Sequence, residues 1–142
     1  MRHGVKKIKF KNGKDANKMM VVKLVRNFLN KGKLKITLKR AKVLRSVIDR
    51  IVSQAKKGKK ELVAKKVNDT KLIGIVFDKI VPVFDKRNSG FVKFKKLGYR
   101  LSDGSEMVEV SWAEPIIIIS ETQKKTEQHA KTNKNNQNKK SE

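Results

Sequence analysis

A chain of 142 residues with 37 Lys and Arg against 13 Asp and Glu carries a formal charge of +24. A compact fold so charged repels itself unless a polyanion relieves it, with nucleic acid the first candidate and an anionic membrane surface the second. The absence of cysteine excludes disulfides and thiolate metal sites and agrees with a reducing compartment. No secretory signal is expected, since the basic N-terminus has no apolar run behind it. The longest aliphatic run, four isoleucines at 116–119, is far too short for a membrane span.

The charge is unevenly spread. Residues 1–60 hold 21 Lys and Arg and 2 acids, residues 61–120 hold 10 and 8, and residues 121–142 hold 6 and 3. An anion-binding surface is therefore expected mainly from the first 60 residues.

In chain order, residues 1–14, "MRHGVKKIKFKNGK", read as a basic arm with too few apolar residues for a core, ordered by its partner. Residues 15–31 read as a helix with Asp15 as N-cap. Met20, Val21, Leu24, Val25, Phe28 and Leu29 fall on one stripe, and Gly32 ends the helix. "KLKITL", residues 33–38, alternates as a half-buried strand with Leu34, Ile36 and Leu38 inward. A long helix over 39–56 follows from the 3.6-residue spacing of Ala41, Leu44, Ile48, Ile51, Val52 and Ala55. Gly58 breaks it, and "ELVAKKV" forms a short helix. Asp69 is expected to cap a further helix with Leu72, Ile73, Val76, Phe77 and Ile80 inward, ended by Pro82.

A loop at 85–90 leads to a strand over 91–97. A turn around "LSDGSE" then leads to a strand over 107–112, in which Val108, Val110 and Trp112 alternate with Glu109 and Ser111. "EPIIII" reads as a further edge strand or as a contact with a neighbouring macromolecule. Residues 121–142 hold one alanine and no larger aliphatic or aromatic residue, too little to offset ordering entropy, and are expected to be a disordered polar tail. The fold class is α+β in two layers, ordered helix, strand, three helices, two strands, with the small sheet covered on one face by helices. The globular domain is expected over 15–120.

The residues that carry catalysis in other proteins are missing from the body. His3 and His129 are the only histidines and lie in the expected tails, which excludes the usual zinc sets and a Ser-His-Asp arrangement. Asp69, Asp78, Asp85, Asp103, Glu106 and Glu109 fall at caps, turns and exposed faces, where solvated carboxylates sit. No GxxxxGK[ST] or GxGxxG phosphate loop occurs. The chain is therefore read as not an enzyme, without cofactor, metal or small-molecule substrate.

"RNSGFVKF" matches the RNA-recognition pattern K/R-G-F/Y-G/A-F-V-x-F/Y at Arg87, Gly90, Phe91, Val92 and Phe94. It departs from it at Asn88 and Ser89, and three helices precede the strand where that module has a different order. The match is read as coincidence, with Val92 and Phe94 facing the helices and Lys93 and Lys95 facing out with Phe91. Six Phe, one Tyr and one Trp are few for a single-strand stacking platform. What remains is contact to the phosphates and sugars of structured nucleic acid.

These same stretches resemble the bacterial large-subunit ribosomal protein seventeen family. The start "MRH" is similar to that family's opening. "LVRNFLNKGKLKITLKRAKVLR", residues 24–45, is similar to its first helix, strand and second helix, with Thr37, Leu38, Ala41, Lys42, Leu44 and Arg45 at matching positions. Residues 81–100 resemble its Pro-Arg-Tyr-x-x-Arg-x-Gly-Gly-Tyr-Thr-Arg segment and following Leu-Gly-x-Arg, at Pro82, Arg87, Gly90, Phe91, Leu97, Gly98 and Arg100. "MVEVSW" is similar to its last strand. The family's His-Arg pair is replaced around Ala16 and Asn17, its Arg-Gly-Asp turn reads Leu101, Ser102, Asp103, and residues 113–142 have no placed counterpart.

The resemblance implies a non-catalytic protein that binds large-subunit ribosomal RNA, with neighbouring large-subunit ribosomal proteins beside it and no membrane partner. Such a protein belongs to the ribosome in the cytoplasm, with an organellar ribosome left open. The RNA-binding residues expected are Arg2, His3, Lys6, Lys7, Lys9, Lys11 and Lys14 from the arm. From the body they are Lys18, Arg26, Lys39, Arg40, Lys42, Arg45, Arg87, Lys93, Lys95, Tyr99 and Arg100. The competing readings are a free nucleic-acid-binding regulator or chromosome-compacting protein, and an RNA-modifying enzyme.

Overall fold

In the computed structural model, residue 10 and residues 13–116 are described. The arm up to residue 9, residues 11–12 and everything from 117 onward lie outside the described residues. So do the expected arm contacts at Arg2, His3, Lys6, Lys7, Lys9 and Lys11, the isoleucines at 117–119 and the expected tail.

Helix α1 (Lys14–Lys31) leads through Gly32 into strand β1 (Lys33–Thr37), followed by α2 (Leu38–Lys56) and α3 (Lys60–Val67). Next, α4 (Thr70–Ile75) runs through a wide turn (Val76–Ile80) into a last short turn, α5 (Val81–Val83), and then come β2 (Val92–Tyr99) and β3 (Glu106–Trp112). Counting α4 to α5 as one continuous helical run, the order is helix, strand, three helices, two strands, an α+β fold as the periodicity predicts.

The boundaries follow local chemistry. Gly32 sits at φ 70° and donates its N–H to the Phe28 carbonyl, a left-handed position that glycine occupies without a Cβ penalty. The Asp69 carboxylate accepts from the N–H groups of Lys71 and Leu72, so this predicted cap forms. Asp15 does not cap α1. The helix starts one residue earlier behind Gly13, and Asp15 lies in the first turn, where its charge still complements the helix dipole.

Leu38 opens α2 instead of closing β1. Pro82 lies inside the final turn, so the helical run outlasts it. The turn just before it is widened, with the N–H reaching back from Val81 to the Val76 carbonyl. A proline ring clashes with the carbonyl four residues back, and a wider turn relieves that crowding without ending the helix.

The sheet is antiparallel with order β1-β3-β2. Leu34 and Phe94 flank Val110 from either side, and Ile36 pairs with Val108. These residues face the helices. Val25, Phe28, Leu44, Ile48, Ile51, Val76, Ile80, Val108 and Val110 are fully buried in one continuous core. Phe28 stacks on Trp112 with ring centroids 4.6 Å apart, and Phe84 meets both Trp112 at 5.7 Å and Phe91 at 5.2 Å. This aromatic group ties α1, the end of the helical run and the open end of the β2–β3 pair together.

Phe91 is therefore core, not an outward-facing residue. It precedes β2, its N–H donates to the Asp49 carboxylate of α2 at 3.2 Å, and strand alternation does not apply to it. A ring with no exposed surface cannot stack on a base in this conformation, which removes the RNA-recognition reading of "RNSGFVKF".

Candidate nucleic-acid interface

The interface begins with the start of α2. A helix N-terminus carries the positive end of the backbone dipole, and acids there are stabilising while cations are not. The first turn of α2 has no acid and exposes Lys39 and Arg40, while Lys42 and Arg45 are exposed in the turn that follows. Lys39 and Arg40 thus stand against the helix's own dipole, an arrangement that an anion at this end of the helix would relieve. The nearest carboxylate on the helix, Asp49, approaches Arg45 at 3.8 Å.

Two contacts bring separate elements to this surface. Lys39 Nζ lies 5.3 Å from the centre of the Phe10 ring, so the chain leading out of the arm passes beside the start of α2. The Arg45 guanidinium lies 5.7 Å from the centre of the Phe94 ring, which joins α2 to β2. Lys18 is exposed on α1. Lys14 opens α1, with its side chain outside the described residues.

Besides Arg45, paired with Asp49, three expected contacts have internal partners, each through hydrogen bonds. Arg26 Nε donates to the Val67 carbonyl at 3.0 Å, and its Nη2 donates to the Asn68 carbonyl. Arg26 thus satisfies the C-terminus of α3, where Asn68 adopts a left-handed conformation, and fastens it to α1. Arg87 Nη1 donates to the Gly90 carbonyl at 3.1 Å, and its Nε lies 3.7 Å from Glu114. It braces the loop before β2.

Arg100 forms a forked pair with Asp103, at 2.8 and 2.5 Å. The Arg100 hydrogen bonds, followed by those from the Ser105 hydroxyl and N–H, hold the Asp103 carboxyl well below the usual carboxylate range. This set locks the β2–β3 turn, and Tyr99 beside it is 76% exposed.

Lys93 and Lys95 point away from the helices, as alternation predicts. Two further cations outside the expected set, Lys33 and Lys35, stand on the same outward face. Their own alternation in "KLKIT" is legible in the sequence, but the pairing of β1 with β3 is not. That pairing brings Lys33 and Lys93 to either side of Ser111, and Lys35 and Lys95 to either side of Glu109. The candidate cations without a hydrogen-bonded internal partner among the described residues thus fall at the start of α2 with the arm's end, on α1 at Lys18, and on the outward sheet face. Among the described residues no cluster of three or more potential metal ligands occurs, and no helix is long and apolar enough to cross a membrane.

A small two-layer α+β scaffold with one apolar core and exposed cations on several surfaces is of the class suited to a polyanionic partner. Comparison with known proteins makes this specific. The family model described as ribosomal protein L17 matches residues 20–113, and the chain belongs to that family. It is 33% identical to the large ribosomal subunit protein bL17 of Sulfurihydrogenibium sp. over 118 residues, covering 80% of this chain and 98% of the relative. It is 31% identical to the bL17 of Methylacidiphilum infernorum over 117 residues, covering 80% and 89%. To the bL17 of Clostridium perfringens it is 35% identical over 99 residues, covering 66% and 86%. These relatives lend no support to a free regulator acting off the ribosome.

Proposed function

We propose that this chain is a structural constituent of the large ribosomal subunit that binds folded ribosomal RNA and holds converging segments of it in place. Membership of the L17 family supports the assignment to the ribosome, in the bacterial cytoplasm. The observation that carries the RNA-binding reading is the start of α2, whose acid-free first turn exposes Lys39 and Arg40, with Lys42 and Arg45 exposed in the next turn. Cations placed against a helix dipole are costly alone and favourable beside phosphate.

In this reading Arg2, His3, Lys6, Lys7, Lys9, Lys11 and Lys14 extend the grip along the arm. Lys18, Lys39, Arg40, Lys42, Arg45, Lys93, Lys95 and Tyr99 supply it from the body. Arg26, Arg87 and Arg100 act by fixing backbone geometry, and neighbouring large-subunit proteins pack alongside. Binding is by charge and shape, because phosphate contacts position a protein on RNA and duplex RNA offers no readable major groove. No step of catalysis is assigned to the chain.

The test is retention on isolated large subunits after a high-salt wash. A constituent enclosed by RNA stays with the subunit, whereas a loosely bound regulator is stripped into the supernatant. Loss of the protein at the first wash would overturn the reading.

A further inference from the structure

We infer that the outward face of the sheet is a second phosphate-binding platform, which grips an RNA backbone segment on the side of the molecule away from the helices. The inference rests on the RNA-binding function proposed above and adds to it a separate surface.

The register builds this face. Lys33, Ser111 and Lys93 form one row across the three strands, and Lys35, Glu109 and Lys95 form the next. All four lysines are exposed, while Glu109 and Ser111 are half-buried between them. Strand geometry sets the spacing. Lysines two residues apart along a strand stand roughly 6.7 Å apart, and those on the two outer strands roughly 9.6 Å apart. The first distance is of the order of the separation between successive phosphates along a nucleic-acid strand, within the reach of flexible lysine stems.

The face is not balanced internally. Among the described residues, the ion pairs are Arg45–Asp49, Arg87–Glu114, Lys96–Glu106 and Arg100–Asp103. None includes any of the four lysines. A single carboxylate, Glu109, stands among four cations, and like charges at these separations are only partly screened at physiological ionic strength. A groove of about 520 Å³ opens beside these rows, lined by Lys33, Lys93, Lys95, Glu109 and Ser111 and, toward one end, by Phe94, Trp112 and Ile116. Its other carboxylate, Glu114, is turned to Arg87 at 3.7 Å.

The chemistry favours a nucleic-acid backbone over a protein. Protein interfaces are depleted in lysine and rely on buried aromatic, Met or Arg anchors. The two central rows of this face carry only Lys, Ser and Glu, and of the aromatics at the groove's end Trp112 is buried in the core and Phe94 packs against it, so neither is free to anchor a partner. A polyanion needs no anchor, only cations held at regular spacing on a rigid support.

The experiment compares the full chain with two variants for binding to an in vitro transcript of large-subunit ribosomal RNA over a range of KCl concentrations. The first variant combines Lys33→Gln, Lys35→Gln, Lys93→Gln and Lys95→Gln; the second is Glu109→Gln. The lysine variant should lose at least tenfold in affinity. Its slope of log K against log salt should flatten by about 3, at about 0.7 for each phosphate no longer neutralised. Glu109→Gln should bind several-fold tighter, a gain that a merely structural role would not produce.

Unchanged affinity and slope in both variants would overturn the inference. If Lys39→Gln, Arg40→Gln and Lys42→Gln together still weakened binding, the proposed function would stand without it. Failure of the unaltered chain to bind would remove both. A photo-reactive side chain at Ser111, in the centre of the face, gives an independent readout in assembled subunits. Adducts to RNA support the platform, and adducts to a neighbouring acidic protein alone overturn it.

Discussion

Arg26 and Lys42 look alike in the sequence, each a cation on a helix in the basic half of the chain, yet their surroundings separate them. Lys42 is exposed on α2, whereas Arg26 donates to the carbonyls of Val67 and Asn68. Such charge-assisted bonds to a helix C-terminus contribute about 1.5–3 kcal/mol in comparable cases. Arg26→Ala should therefore lower unfolding stability by about that amount in urea denaturation. The salt slope of RNA binding should stay unchanged, while Lys42→Ala should flatten the slope and leave stability alone.

Asp103 supplies the pH prediction at this scale. Its folded pKa is depressed, mainly by the Arg100 hydrogen bonds. The stabilisation it contributes is then complete above the ordinary aspartate range and is lost only as pH falls through the lower, folded value. A carboxyl-carbon NMR titration should show Asp103 still ionised where ordinary aspartates have protonated. Arg100→Gln should raise the midpoint toward the ordinary aspartate range, the Ser105 hydrogen bonds keeping it somewhat below.

Among the elements, the helical run from Thr70 to Val83 shows how local chemistry and packing divide the work. Its start is set by Asp69, whose carboxylate accepts from two backbone N–H groups. Asp69→Ala should cost about 1 kcal/mol in a denaturation series, the usual loss for an N-cap. Its end is set by packing. Ile80 and Phe84 are fully buried on either side of Pro82, and burying them outweighs the distortion that the proline imposes. The expected stop near Pro82 holds to within one residue, since the run closes at Val83.

Phe91 departs from expectation. Alternation extended back from β2 turns it outward, but it belongs to the loop, where Phe84 and Asp49 decide its direction. Phe91→Ala should destabilise by about 3–5 kcal/mol, as for other large-to-small core changes, with thermal unfolding as the readout. A residue that stacked on RNA would show the reverse pattern, with affinity reduced and stability kept.

For the molecule as a whole the governing quantity is the charge of +24 on a scaffold whose described core contains no buried polar or charged residue. The core and the cations do not compete for space: one is inside, the other on the helix faces, the outward sheet face and the β2–β3 turn. If about eight phosphates are neutralised, log K for ribosomal RNA should fall with log salt with a slope of roughly −5 to −6. A filter-binding or fluorescence titration over KCl measures it. A slope near zero would mean that charge does not drive the association.

Element type, element order and most inward-facing residues are legible from periodicity, because a 3.6 or 2.0 spacing of apolar side chains is a local property of the chain. Ala41, Leu44, Ile48, Ile51, Val52 and Ala55 are all buried for that reason. The excess charge and its concentration in the first 60 residues are likewise present in composition alone, and they point to a polyanion without any knowledge of the fold. Only the tertiary structure decided which cations are available. Strand order β1-β3-β2 sets Lys33 and Lys35 in register with Lys93 and Lys95, far apart along the chain. Packing between α1 and α3 takes Arg26 out of the binding surface. Both depend on contacts between segments distant in sequence, and side-chain periodicity along one segment holds no information about which other segment will lie against it.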